Sequence, residues 1–103
     1  MSSMSRIAIL KQAKHLVLSH IKHIPAKVYL FGSWARAEEK RSSDIDLAIE
    51  FNTTEASNLQ TLINIRHALE ESTIPYRFDL VYFNEADEYI IKKVREEGLL
   101  WDD

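Results

Sequence analysis

Apolar residues recur along the chain with two periods, which predict an alternation of helices and strands. Spacings of three and four residues predict helices over residues 5–23, 55–71 and 85–97. Short runs of β-branched and aromatic residues predict strands over residues 28–31, 44–51 and 77–83. We expect residues 33–39 to add two helical turns and residues 99–101 to form a last strand or a docked tail. The predicted fold class is therefore α/β (α+β), a mixed β-sheet flanked by helices.

The same periods predict which side chains face the core. On the helices, the expected inward positions are Ile7, Leu10, Lys14, Val17, Ile21 and Ile24, widened by Ala13 and Leu16, then Leu59, Leu62, Ile63, Ile65 and Leu69, and finally Ala86, Tyr89, Ile90 and Val94. Residues 44–51 alternate strictly, and one face of that strand carries Ile45, Leu47, Ile49 and Phe51. The other face carries Asp44, Asp46, Ala48 and Glu50. One face is thus predicted to be apolar and the other largely acidic.

Length and composition restrict the class of protein. The chain has 103 residues with two glycines and two prolines, which indicates one domain over residues 1–103, with an N-terminal helix in 1–25 and a core in 26–101. There is no cysteine, so neither disulfides nor thiolate metal sites are expected. No apolar stretch is long enough for a membrane span or a signal peptide, and we expect a cytoplasmic protein. The formal charge of −3 disfavours a general nucleic-acid partner.

Three aspartates carry the clearest chemical signal. Asp44 and Asp46 stand two residues apart on one predicted strand, so both carboxylates leave the same face. Asp79 lies within another predicted strand, where a carboxylate is costly unless it has a partner. If the two strands are neighbours, the three acids converge and can hold two divalent metal ions. Otherwise Asp44 and Asp46 form a solvated strand face, and Asp79 pairs with Arg77.

A second signal lies at the end of the first predicted strand. Gly32 and Ser33 follow that strand and open a predicted helix, where free backbone N–H groups attract anions. Arg36 lies on the same helix face and can reach a phosphate. Taken alone, these residues are a turn and a surface arginine; taken with the acids, they outline a nucleotide triphosphate site. Trp34, between them, either stacks on a base or packs in the core.

The combined motif resembles the polymerase-β-like nucleotidyltransferase superfamily. Its parts are Phe-Gly-Ser-Trp-Ala-Arg at 31–36, Ser-Asp-Ile-Asp-Leu at 43–47 and Phe-Asp-Leu-Val at 78–81. The small size is similar to that of the minimal nucleotidyltransferases, which in prokaryotes are often the antitoxin of a HEPN-domain ribonuclease toxin. The resemblance implies a nucleotidyltransferase (polymerase-β palm-like) fold for the core. Where relatives often carry glycine after the motif arginine, this chain has Ala37, which makes the turn less permissive.

The resemblance also implies a role for each motif residue. The nucleotide-binding set would be Gly32, Ser33 and Arg36. The catalytic set, which would also hold two Mg²⁺ ions, would be Asp44, Asp46 and Asp79. The implied reaction is transfer of AMP from ATP to a hydroxyl of a partner protein. In the antitoxin branch the acceptor is a tyrosine of the HEPN toxin, and the modification silences the toxin.

The leading hypothesis is therefore an AMP-transferring antitoxin with a HEPN toxin as partner. The alternative is a non-catalytic antitoxin of the same fold that neutralises its partner by forming a complex, and the three converging acids favour the enzyme. Transfer to a nucleic acid or a small molecule is disfavoured by the charge and by the single small domain. A structural domain without a ligand would not be stabilised by Mg²⁺ and ATP. The sequence leaves a homo-oligomer open.

Overall fold

The elements of the fold follow the predicted alternation closely. A computed structural model describes residues 5–102. In chain order its elements are α1 (Arg6–His20), β1 (Ala26–Phe31), β2 (Ile45–Phe51), α2 (Ser57–Glu70), β3 (Phe78–Tyr82), a short 3₁₀ helix (Phe83–Glu85), α3 (Glu88–Glu97) and β4 (Leu99–Trp101). The strands form one sheet in the order β3-β2-β1-β4, in which β2 runs parallel to β3 and the other neighbours are antiparallel. The predicted α+β fold with a mixed sheet is confirmed, and residues 99–101 are its fourth strand.

Capping residues account for where two of the helices begin. The hydroxyl of Ser5 accepts a hydrogen bond from the backbone N–H of Ala8, at 3.1 Å, at the start of α1. The carboxylate of Asp87 accepts from the N–H of Ile90, at 2.9 Å, so α3 begins at Glu88 rather than at residue 85. Among residues 5–102, no helix combines the length and the apolar character that crossing a membrane requires.

The two faces of the sheet contribute to two separate cores. Helices α1 and α2 cover one face, where the fully buried strand residues are Val28, Leu30, Ile45, Leu47 and Ile49. On the other face, α3 and the 3₁₀ helix pack on a smaller cluster, which we call the second core: Phe31, Ala48, Phe83 and Val94. Because Asp46 lies two residues before Ala48, it stands on the same face, at the margin of the second core.

Several side chains predicted to face the core lie at the surface instead. More than half of the surface is exposed in Ile7, Leu59, Ile63 and Tyr89. The buried stripe of α1 runs through Ile9, Ala13 and Val17. On α2, Asn58 is buried next to the exposed Leu59. The side-chain amide of Asn58 donates hydrogen bonds to the Thr53 carbonyl and the Tyr82 hydroxyl, at 2.8 and 3.1 Å, which compensates its burial.

The prediction of helical turns over residues 33–39 is wrong. The segment forms tight turns in which the N–H groups of Ala35 and Arg36 donate to the Gly32 carbonyl, at 3.1 and 3.2 Å. Ala37 then takes a left-handed conformation with a φ of 58°, which ends any helical path. Hydrophobic periodicity does not predict such a residue, because a single left-handed position is decided by the surrounding fold.

Trp34 packs in the core and does not offer a surface for stacking on a base. Its side chain is 2% exposed and meets the ring of Tyr76 edge-on, with 4.9 Å between ring centroids. Its indole N–H donates to the Ser43 carbonyl at 3.3 Å. Its own carbonyl accepts from the guanidinium of Arg6, which ties the turn to α1. These long-range contacts explain why the segment departs from its local helical preference.

Candidate active site

The parallel pairing of β2 with β3 brings two of the predicted acids side by side. In this register Asp46 lies directly opposite Asp79. Neighbouring strands are about 4.8 Å apart, and residues in register project from the same face. The strands that carry Asp46 and Asp79 are therefore neighbours, as convergence of their carboxylates requires.

Asp44 stands immediately before β2, and its side chain is exposed. Strand alternation assigns it to the same face as Asp46. Within residues 5–102, no three histidine, cysteine, aspartate or glutamate side chains are already arranged to hold a metal ion. The structure thus places Asp46 beside Asp79 and keeps Asp44 as a nearby carboxylate open to solvent.

Electrostatic interactions single out Asp46. Burial of its carboxyl group, followed by repulsion from Asp79, raises its pKa from 3.8 to about 6. Asp44 adds to this rise, whereas the positive charges of Lys93 and Arg36 lower the pKa of Asp46. The positive charges of Lys93 and Arg36 therefore offset only part of the repulsion among the three carboxylates. A divalent cation would compensate them further, and carboxylate oxygens are ligands that Mg²⁺ favours, so this donor set fits the predicted metal.

Gly32 joins the predicted phosphate-binding turn to the acids. It follows β1 with a left-handed φ of 78°, a conformation that glycine adopts without strain. A β-carbon at this position would overlap the carboxylate oxygen Oδ2 of Asp46. Ser33 follows it, half-buried, in the turn. The Gly-Ser turn and Asp46 are therefore direct neighbours.

Arg36 lies near the acids but already has partners. Its Nε is 2.8 Å from a carboxylate oxygen of Glu38, and its Nη1 is 2.7 Å from one of Glu97. Glu97 belongs to the last turn of α3, so this pair connects α3 to the turn after β1. A phosphate that binds Arg36 therefore competes with these two carboxylates for the guanidinium.

The competing interpretation of Asp79, an ion pair with Arg77, is not observed. Among the ion pairs formed by residues 5–102, none includes either residue. Arg77 instead lines a cavity of about 460 Å³ between α2 and β3, together with Arg66. The Asp79 carboxylate is exposed and remains available to a ligand.

Two residues of α3 belong to the surroundings of the acids and were missed in the sequence. The positive charge of Lys93 lowers the pKa of Asp46, and Glu97 forms an ion pair with Arg36. Their spacing of four residues places them on one helix face, which the sequence does show. Whether that face lies next to the acids depends on how α3 packs on the sheet, which no local sequence pattern predicts.

The chain matches the family described as "Polymerase beta, Nucleotidyltransferase" over residues 9–101. It belongs to this family. The predicted superfamily and the predicted class of enzyme, a nucleotidyltransferase, are thereby confirmed. A protein of Methanocaldococcus jannaschii named "Putative protein adenylyltransferase MJ1217" is 31% identical over 97 residues, which cover 89% of this chain and 96% of the relative.

Two solved structures share the fold of this nucleotidyltransferase. One is a tri-AMPylated Shewanella oneidensis HEPN toxin in complex with MNT antitoxin; the similar chain is 20% identical, with a TM-score of 0.61, and the match covers 95% of this chain and 72% of that chain. The other is a toxin-antitoxin crystal structure with AMP-PNP, at 21% identity and a TM-score of 0.62, covering 86% of this chain and 72% of that chain. At these identities the likeness concerns the fold.

Proposed function

We propose that this protein is a Mg²⁺-dependent adenylyltransferase that transfers AMP from ATP to a tyrosine hydroxyl of a HEPN ribonuclease toxin, and thereby acts as its antitoxin. The observation that carries the proposal is the register of β2 and β3, which puts Asp46 beside Asp79 and against Gly32. The family supplies the class of reaction. The Methanocaldococcus jannaschii relative, named as a protein adenylyltransferase, supports AMP transfer to a protein, and the antitoxin in the complex with an AMPylated toxin supports a toxin as partner.

In this proposal the turn after β1 binds the triphosphate of ATP. Gly32 has no side chain, so the Asp46 carboxylate can lie against the turn, and a metal ion held by Asp46 would lie next to the triphosphate. Ser33 contributes a hydroxyl donor. Arg36 contributes a guanidinium, which binds phosphate strongly once it is released from Glu38 or Glu97.

The acids hold the metal and receive the proton. Asp44, Asp46 and Asp79 would hold Mg²⁺, which supplies positive charge at the triphosphate and favours ionisation of the acceptor hydroxyl. The acceptor oxygen forms a bond to the α-phosphorus while the bond from that phosphorus to pyrophosphate breaks. The proton of the acceptor hydroxyl passes to the Asp79 carboxylate, and AMP remains on the acceptor.

The position of Asp79 suits an acceptor as large as a protein. It lies on β3, which is an edge strand of the sheet, and its side chain is exposed. A hydroxyl on the surface of another protein can therefore reach it from solvent. Asp44 is exposed as well, so this side of the site is open to solvent, and we propose that the toxin surface completes it.

A non-catalytic antitoxin of the same fold is the second candidate. One observation favours it: the guanidinium of Arg36, which the reaction would need for phosphate, is already paired with the carboxylates of Glu38 and Glu97. In that case the protein would neutralise the toxin by binding alone, and its acids would be dispensable for neutralisation.

A transfer assay separates the two candidates. The protein is incubated with Mg²⁺, the HEPN toxin and ATP labelled at either the α- or the γ-phosphate. We expect the toxin to take up the α-label but not the γ-label, and Asp46→Asn to abolish the uptake. The matched control is Asp102→Asn, which changes an exposed aspartate directly after β4, the edge strand opposite β3.

The neutralisation of the toxin provides the deciding readout. If Asp46→Asn still forms the complex but no longer neutralises the toxin, the adenylyltransferase is supported. If Asp46→Asn neutralises the toxin as well as the Asp102→Asn control does, the proposal is wrong and the non-catalytic antitoxin is correct.

A further inference from the structure

One face of α3 borders the acidic site. Tyr89, Lys93 and Glu97 follow one another at steps of four residues and so share this face. At its C-terminal end, Glu97 is 2.7 Å from Arg36 of the phosphate-binding turn. The other two residues of the face have no assigned role in the proposed reaction.

Packing holds this face of α3 beside the acids. Val94, the neighbour of Lys93 in sequence, is buried in the second core together with Phe31. Phe31 is in turn paired with Asp46 across the sheet. Lys93 lies one helical turn before Glu97, whose carboxylate contacts Arg36 of the phosphate-binding turn. Lys93 is therefore held on the part of α3 that packs beside the strand ends carrying the acids and the phosphate-binding turn.

Lys93 and Tyr89 are also available to a ligand. Among residues 5–102, no carboxylate lies within 4 Å of the Lys93 ammonium, which sits 5.8 Å from the centroid of the Tyr89 ring. The Tyr89 side chain is 69% exposed, so it contributes little to a core. A surface hollow of about 280 Å³ is lined by Tyr89, Lys92, Lys93, Glu96 and Glu97. An exposed aromatic ring and a lysine without a carboxylate partner among the described residues therefore lie together on the face of α3 that ends at Glu97, the partner of Arg36.

We propose that this face of α3 is the second wall of the nucleotide site, where Lys93 binds the β- and γ-phosphates and Tyr89 stacks on the base. A lysine ammonium is a compact charge that binds phosphate oxygens, and aromatic rings bind bases by stacking. The inference rests on the proposed function in requiring a nucleoside triphosphate at the acids, but it does not require that AMP be transferred.

Binding measurements with two ligands test the two roles separately. Titration calorimetry in Mg²⁺ compares α,β-methylene-ATP, which cannot release pyrophosphate, with tripolyphosphate, which has no base. The variants are Lys93→Met, Lys93→Arg and Tyr89→Ala. The matched controls are Lys11→Met and Ile63→Ala, which change exposed residues of α1 and α2. Thermal unfolding without ligand checks that each variant folds.

The two residues should affect the two ligands differently. We expect Lys93→Met to weaken both ligands about tenfold, with partial recovery in Lys93→Arg. Tyr89→Ala should weaken the ATP analogue about fivefold or more and leave tripolyphosphate unchanged. If Lys93→Met and Tyr89→Ala bind both ligands as the controls do, the inference is overturned. A wild-type protein that binds the analogue but transfers no AMP contradicts the proposed function alone, and one that binds neither ligand contradicts both.

Discussion

Replacement of Asp46 by asparagine is expected to stabilise the metal-free protein while it abolishes AMP transfer. Burial and the repulsion from Asp79 raise the pKa of Asp46 from 3.8 to about 6. The ionised carboxylate is therefore disfavoured in the folded protein relative to the unfolded chain. Because the protonated form is favoured in the folded state, this group lowers the free energy of unfolding as the pH rises from about 4 to about 6, and the loss is complete at pH 7.

The size of the effect follows from the rise in pKa. At 1.36 kcal/mol for each pKa unit, the rise corresponds to at most about 3 kcal/mol at pH 7. The Asp46 side chain is only half-buried, and solvent screening reduces this value to about 1–1.5 kcal/mol. In a domain of this size such a change raises the melting temperature by about 4–8 °C. Asparagine keeps the size and removes the charge, so the gain should appear at pH 7 and largely vanish near pH 4.

Urea unfolding at pH 7 and pH 4, without metal, measures this difference directly. Wild type, Asp46→Asn and the control Asp102→Asn are compared at both values. Addition of Mg²⁺ should then stabilise wild type more than Asp46→Asn, because the variant lacks one of the proposed ligands. An Asp46→Asn protein that is less stable than wild type at pH 7 would refute the reasoning, because it would mean that the carboxylate is stabilised by its surroundings.

Three further substitutions test the turn after β1 and its contact with α3. Ala37→Gly should raise the free energy of unfolding by about 0.5–1 kcal/mol, because it relieves the left-handed φ of 58°; urea unfolding measures this. Gly32→Ala should lower stability by about 1–3 kcal/mol, because alanine is strained at a φ of 78°, and should abolish AMP transfer, because its β-carbon displaces the Asp46 carboxylate; thermal unfolding and the transfer assay report the two effects. Glu97→Gln should tighten tripolyphosphate binding about two- to fivefold by freeing Arg36, as measured by calorimetry.

Matched changes on the helices provide the controls for two of these substitutions, Ala37→Gly and Glu97→Gln. Ala68→Gly lies inside α2, where glycine should cost about 1 kcal/mol, so a gain in stability there would contradict the argument for Ala37. Glu96→Gln removes a neighbouring charge that is not paired with Arg36. If it tightens tripolyphosphate binding as much as Glu97→Gln does, the effect is one of net charge, and the ion pair plays no special part.

Much of the fold could be predicted because its signals are local. The strict alternation of residues 44–51 makes β2 and assigns Asp46 to the face opposite Ile45. Likewise, Asp87 caps α3 through a contact only three residues away. The order of helices and strands, and the face from which each aspartate projects, are thus properties of short segments and can be read directly from the sequence.

The register of the sheet and the docking of the helices were decided only by the tertiary structure. The sequence around Asp79 does not predict that β3 pairs in parallel with β2, with Asp79 opposite Asp46. That pairing joins two segments that are separated by a helix. The burial of Trp34 overrides the helical preference of its segment. The approach of Lys93 to the acids depends on Val94 packing against Phe31. Backbone geometry and capping act within a few residues, whereas core packing depends on apolar surfaces from the whole chain. The sequence therefore determines which residues can form the site, and the packing of the core determines which of them come into contact.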